Sequence, residues 1–253
     1  METYNLYGGK ASLTFSPDRH TYQLNGKIIP GVTSVLGGAL AKPALVGWAA
    51  KVTAQYFLDN LKPGTEYSEN QIAAMCELAK KAHRAKKSEA ADVGHLVHAA
   101  VENFVASGTW GEFTDARVNA SIEAFRKWLS EHEVEFLKNE QKVCSMRHEV
   151  AGTFDAIAFV DGKTTLIDLK TSSGCYSSMG YQLAAYRMCL EEEYPEVGIQ
   201  SQLIVNIRKD GTLETREYPD YEKDRNVFLA ALVIYRREKA IKDAEYEAAK
   251  KSS

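Results

Sequence analysis

The sequence predicts an α/β (α+β) protein, and three observations carry that prediction. Residues 153–160 and 164–171 are rich in β-branched and aromatic side chains and are joined by Asp161-Gly162, a strong signal for a two-residue hairpin turn. Residues 198–207 and 212–218 form a second such pair across Asp210-Gly211. Around them lie stretches whose apolar residues recur at helical spacing, at 43–61, 71–87, 89–106, 115–132, 178–190 and 221–249. No repeat, low-complexity tract or linker divides the 253 residues, so one domain spanning 1–253 is expected, long enough for a full core.

Composition narrows the class. Hydrophobic content of 45% and charged content of 26% are those of a soluble globular chain. No apolar run approaches the ~20 residues of a spanning helix, and the polar residues 1–5 are no secretory signal, so a cytoplasmic protein with no membrane partner is expected. Cys76, Cys144, Cys175 and Cys189 are widely spaced with no close pair, which argues against a zinc knuckle and against a disulfide framework. The net charge of −3 gives no global attraction to nucleic acid, so any such binding must come from local asymmetry.

Residues 11–30 read as a small N-terminal meander, with alternating segments broken at Pro17-Asp18 and Asn25-Gly26. Thr33 or Ser34 is placed to cap a turn, and Pro43 suits the first position of the next helix. In that helix Leu45, Trp48, Ala49, Val52 and Phe57 are expected to face the core. After the break at Pro63-Gly64, the helix over 71–87 ends in a basic run. Lys80, Lys81, Arg84, Lys86 and Lys87 form either a phosphate-binding stripe or a solvated helix surface. The helix over 89–106 places His98 and Glu102 four apart on one face, with Gly94 one turn earlier. A neutral imidazole there suits a metal ion, and Glu102 could orient a neighbour or a bound water. The helix at 115–132 carries Ile122, Phe125, Trp128 and Leu129 at core spacing, and residues 134–150 read as extended. Glu140 and Glu149 in this segment are either supports of a site or solvated carboxylates.

The central hairpin concentrates the chemistry. Asp168 and Lys170 are two apart in a strand and project from the same face, and the partner strand carries Asp155. Two carboxylates and an amine can hold a divalent cation and still leave a positive group for an anionic reactant, which is the inventory of metal-assisted phosphodiester hydrolysis. The alternative is an ordinary same-face ion pair on a solvated hairpin. Downstream, Gln182 and Tyr186 share a helix face at i and i+4.

In order, Gly94-x-x-x-His98-x-x-x-Glu102, Gly152-Thr-Phe-Asp155, Asp168-Leu-Lys170-Thr171 and Gln182-x-x-x-Tyr186 strongly resemble the RecB-like branch of the PD-(D/E)XK nuclease superfamily. The stretch from His20 through Gly31-Val-Thr-Ser-Val-Leu to Leu45-Val-Gly-Trp-Ala also looks like phage-borne exonucleases of this branch, so the resemblance covers most of the chain. It implies a mixed β-sheet core flanked by helices, restriction-endonuclease-like. It implies Mg²⁺ or Mn²⁺ bound by His98, Asp155, Asp168 and the Leu169 carbonyl, with Lys170 as a catalytic group beside Asp155, Asp168 and Glu102. Gln182, Tyr186 and Thr171, together with the basic stripe, would meet DNA. Phe154 stands where the superfamily name has proline. Relatives with an iron–sulfur cluster carry a close cysteine pair near the C-terminus; none lies after Cys189 here, so no iron–sulfur cluster is expected.

The activity implied is a DNA exonuclease of recombination, replication or repair, in the manner of phage enzymes that act in a bacterial host cytoplasm. Its partners would be DNA with a free end and a recombination or replication protein, and an oligomer is open by analogy with toroidal phage exonucleases. A structure-specific endonuclease on the same fold and a non-catalytic DNA-binding module are the alternatives.

Overall fold

A computed structural model describes residues 1–251 and shows a mixed α+β architecture, two β-sheets flanked by helices. Its contacts form two compact units, Ala41–Leu96 and the pair of segments Met1–Leu40 and Val97–Ser253.

The larger unit opens with a four-stranded antiparallel meander: β1 (Glu2–Leu6), β2 (Ala11–Ser16), β3 (Thr21–Leu24) and β4 (Lys27–Ile29). Strand β1 lies outside the meander that the sequence predicts; most of its residues are polar or exposed, which hides the strand pattern. Alternation is clean in β2, where Ala11, Leu13 and Phe15 point inward. The chain then enters α1 (Val32–Ala39), whose N-cap is Gly31 with no side-chain cap, so Thr33 and Ser34 do not cap it.

The five-stranded sheet holds β5 (Val134–Ser145), β6 (Val150–Val160), β7 (Lys163–Lys170), β8 (Ser201–Ile207) and β9 (Leu213–Glu217), in sequential order. Asp161 (φ 48°) and Gly162 (φ 79°) both take left-handed backbone in the β6–β7 turn, a pairing that an Asp-Gly turn adopts with little strain. Strand β7 pairs antiparallel with β6 but parallel with β8, because the connection runs through α5 (Ser177–Glu193). Helix α5 packs with α6 (Tyr221–Lys251) and α1 over one sheet face, around Phe154, Leu166, Leu183, Ile204 and Phe228. The meander is pinned to β6 by Ala151 N–H donating to Pro30 O at 3.1 Å and by a Gly31–Ala151 bridge. Helix α4 (Ala116–Glu131) starts at Asp115, whose carboxylate accepts from Arg117 N–H, and buries Val118, Ile122, Phe125 and Trp128.

The smaller unit contains α2 (Pro43–Asn60) and the first part of α3 (Glu69–Ser107). The two helices expected over 71–87 and 89–106 are one continuous helix, since no glycine or proline interrupts 80–93. The expected apolar face of α2 is corrected. Val52 is buried, but Leu45 is 51% exposed and Trp48 37% exposed. Inside this unit Val52, Ala79 and Val93 are the buried apolar residues, and α2 meets α3 where Thr53 Oγ1 donates to Ala79 O at 3.4 Å.

Candidate functional site

The β6–β7 hairpin sets Asp155 and Asp168 against each other. Ala156 pairs with Ile167, and the next step along both strands brings in the two aspartates. Leu169 N–H donates to Asp155 Oδ2 at 2.6 Å, which fixes that carboxylate at the strand end. Lys170 Nζ donates to Asp168 Oδ2, and Gln182 Nε2 on α5 donates to Asp168 Oδ1 at 2.9 Å. The second Gln182 N–H is taken by Tyr186 Oη at 3.0 Å. Asp168 is 2% exposed, and both its oxygens are partnered inside the protein. That matters because an unpaired buried carboxylate is costly.

From α3, His98 Nδ1 lies 4.0 Å from Asp155 Oδ2. From β5, Glu140 sits between Asn139 and Gln141, which pair with Ala156 and Phe154, so it lies across from Asp155. Glu140 has left-handed backbone (φ 47°), and Lys142 Nζ stands 3.9 Å from its carboxylate. These groups line a cavity of about 320 Å³ with Gly152, Thr153, Thr33, Tyr186 and the meander residues Phe15, His20 and Tyr22.

Charge is crowded there. Burial, then the facing Asp168, pushes the Asp155 carboxyl up to about 7 against the pull of Lys170. Burial, then Asp155 and Glu102, pushes Glu140 up to about 8. Burial also works against the charge of Lys170, but Asp168 and Asp155 outweigh it and hold the amine above its usual value. The Tyr186 hydroxyl is raised well above its ordinary value by burial and by the two aspartates, so it stays protonated.

The sequence-derived residues separate into those that share this cavity and those that do not. His98, Asp155, Asp168, Lys170, Gln182 and Tyr186 line it together. Glu102 lines a small second cavity with Leu169, Ile167 and Asp155, and it hydrogen-bonds Glu140 of the first cavity. The Leu169 side chain faces that cavity too, while its N–H serves Asp155. Thr171 is half-buried just past β7 and is not among the lining residues. Glu149 pairs with Lys27 at 2.7 Å on the exposed surface, which returns it to the solvated reading. In the smaller unit Lys80, Lys81, Arg84, Lys86 and Lys87 lie on α3, where Lys80 pairs with Glu77 at 2.6 Å. Gly94 is buried on the same helix.

Glu140, Lys142 and His20 join the cavity although the sequence motifs do not include them. For Glu140 and Lys142 a signal exists: they are two apart in a strand, and the hairpin register sets that strand against Asp155. His20 opens the stretch that resembles phage-borne exonucleases, but no local spacing ties it to the hairpin, and it reaches the cavity through tertiary contact of the meander.

Among the described residues no three His, Cys, Asp or Glu groups form a ready-made metal cluster. The donor set nonetheless suits a hard divalent cation. Asp155, Asp168 and Glu140 supply more carboxylate than Lys170 and Lys142 balance, and burial followed by that crowding has raised two of them. Mg²⁺ is commonly held by one or two carboxylates with several waters retained, and imidazole adds affinity for Mn²⁺.

No family model matches the chain, and no curated protein matches it. Three solved structures are similar to parts of it. One is an alkaline exonuclease, LHK-Exo, from Laribacter hongkongensis, at 16% identity and TM-score 0.33, covering 64% of this chain and 92% of that one. A second is LHK-Exo in complex with dAMP, at 16% identity and TM-score 0.32, covering 60% and 84%. The third is SSO0001, at 13% identity and TM-score 0.31, covering 75% and 86%. At these TM-scores the chemistry has to be taken from the site's own residues.

Proposed function

We propose that the chain is a divalent-metal-dependent deoxyribonuclease that hydrolyses DNA phosphodiester bonds from a free end, with Mg²⁺ or Mn²⁺ as its ion. The observation that carries this reading is the pairing of Asp155 and Asp168 across one hairpin, with a charged Lys170 at the same cavity. Asp155 and Asp168 would hold the ion, with His98 beside Asp155. What a divalent cation supplies when bound is positive charge for the phosphate and greater acidity for water. The chain's own part is orientation. Gln182 fixes the plane of Asp168, Tyr186 fixes Gln182, and the Leu169 N–H fixes Asp155. Lys170 keeps its proton and offers a cation to the phosphate oxygens as charge builds in the transition state. Roles in recombination, replication or repair, a phage setting and binding of DNA by the basic stripe belong to this reading through the family resemblance.

The test is digestion of linear single- and double-stranded DNA labelled at either end, beside a closed circle, in Mg²⁺, Mn²⁺ or EDTA. Metal-dependent loss from one end with the circle spared is the expected result. Cutting of the circle would make the enzyme an endonuclease, and no cutting in either metal would end the nuclease reading.

A further inference from the structure

His20 stands in the turn between β2 and β3 with left-handed backbone (φ 49°), where glycine or asparagine fits best. Away from the cavity, the other non-glycine residues in this conformation have local anchors. Asn25 and Asp161 accept from the N–H groups of Ser12 and Glu133, Glu149 pairs with Lys27, and Tyr7 N–H donates to Glu193. The His20 N–H closes its turn by donating to Pro17 O at 3.2 Å, and its exposed ring is presented to the cavity that holds Asp168 and Lys170. Departures from favoured backbone concentrate where function requires a side chain to be held in place.

The ring is held by a built shelf. It meets Phe15 edge-on at 5.3 Å (87°) and Tyr22 at 6.0 Å (79°), and those two rings lie 4.8 Å apart as direct partners across β2 and β3. Phe15 and Tyr22 are 8% and 2% exposed, so they serve as backing. The Tyr22 hydroxyl bonds Thr153 Oγ1 at 3.1 Å, two residues from Asp155, which ties the shelf to the hairpin of the site. Edge contacts fix a ring's plane without covering both faces.

We propose that His20 is a stacking platform for an unpaired nucleobase, that of the nucleotide adjoining the scissile bond; this rests on the nuclease reading above. An imidazole face takes any base, because every base offers a π-face, so the contact positions the strand end without reading sequence. A base can reach His20 only when it is out of its duplex, so the substrate class is a single strand or a frayed duplex end.

The experiment is a cycle between His20 and the base. Cleavage of a linear oligonucleotide in Mg²⁺ is measured for the parent, His20→Asn and His20→Phe, with a normal nucleotide or an abasic analogue adjoining the cleaved bond. On normal DNA His20→Asn should raise KM by about 5- to 100-fold with little change in kcat. On abasic DNA it should change KM little, while His20→Phe should stay near the parent on both. The melting temperature of His20→Asn should stay at the parent's, since asparagine suits the left-handed backbone. An equal loss on abasic DNA, an unchanged KM, or a His20→Phe variant as poor as His20→Asn would overturn the proposal. A parent that cleaves nothing in Mg²⁺ or Mn²⁺ would sink the nuclease reading separately. The same cycle is then read as Kd by fluorescence anisotropy in EDTA, where base-dependent coupling upholds the platform and none overturns it.

Discussion

Replacing Gly152 by alanine should damage both the fold and the site, and the size of the effect follows from one distance. A Cβ at residue 152 would lie 2.4 Å from Tyr186 Cε1 and 3.0 Å from Cδ1. The closer contact is about 1 Å short of ordinary carbon separation. Tyr186 is 3% exposed in the main core and cannot swing into solvent, so its ring, or strand β6, has to shift. Overpacking of this kind costs about 1–3 kcal/mol. For a chain of this size that is a fall of roughly 2–12 °C in Tm. The shift also moves the hydroxyl that receives Gln182, and with it the amide that orients Asp168, so kcat should fall as well. Thermal denaturation of Gly152→Ala, Tyr186→Leu and the double variant measures this directly. Since leucine lacks the ring edge, Gly152→Ala should cost little in the Tyr186→Leu background. A single variant that melts and cleaves like the parent, or a penalty that persists without the ring, would refute the clash as its cause.

Three further predictions concern charge. Asp155 and Glu140 are raised by folding from ordinary values of 3.8 and 4.5 to about 7 and about 8. The stability they confer is therefore complete below the ordinary values and lost as pH climbs through the raised ones. Metal-free protein should show a falling Tm over that window, and Mg²⁺ or Mn²⁺ should raise Tm more at about pH 8 than at about pH 6; equal shifts would contradict a cation among these carboxylates. Lys170→Met should lower kcat by about 10²- to 10⁴-fold. It should also destabilise the fold by stranding the buried Asp168, and adding Asp168→Asn should restore Tm without activity. Neutralising Lys81, Arg84 and Lys87 should reduce the salt dependence of DNA binding by about one unit of slope for each phosphate contact removed, and an unchanged slope would assign the run to solvation.

Much of the fold and the site is legible in local chemistry. Asp161-Gly162 announces its turn because two successive left-handed residues are strained for most other pairs, and the period of two along β7 by itself puts Asp168 and Lys170 on one face. The gathering of His98, Asp155, Asp168, Lys170 and Gln182 at one cavity follows the order of motifs. What the sequence hides depends on distant neighbours. The parallel pairing of β7 with β8 is set by the crossover through α5; the helix is legible over 178–190, but which strand β7 then takes as its neighbour is not a local property. Helical periodicity in α2 predicts a core face, yet periodicity reports only that a face is apolar, and Leu45 and Trp48 remain exposed. Glu140 keeps two readings in the sequence because strand residues reveal their partners only through the register.

The parallel β7–β8 pair has a consequence for biosynthesis. A ribosome releases Asp168 and Lys170 well before β8, yet β7 has a neighbour on its second edge only after Ser201–Ile207 has been made and α5 has folded back. Non-local parallel pairing is slow, and chains fold from the N-terminus as they emerge. Strand β7 is therefore finished late in translation, and a chain broken off before Ser201 carries every proposed metal ligand with an open sheet edge. Quality control would meet it as an aggregation-prone fragment.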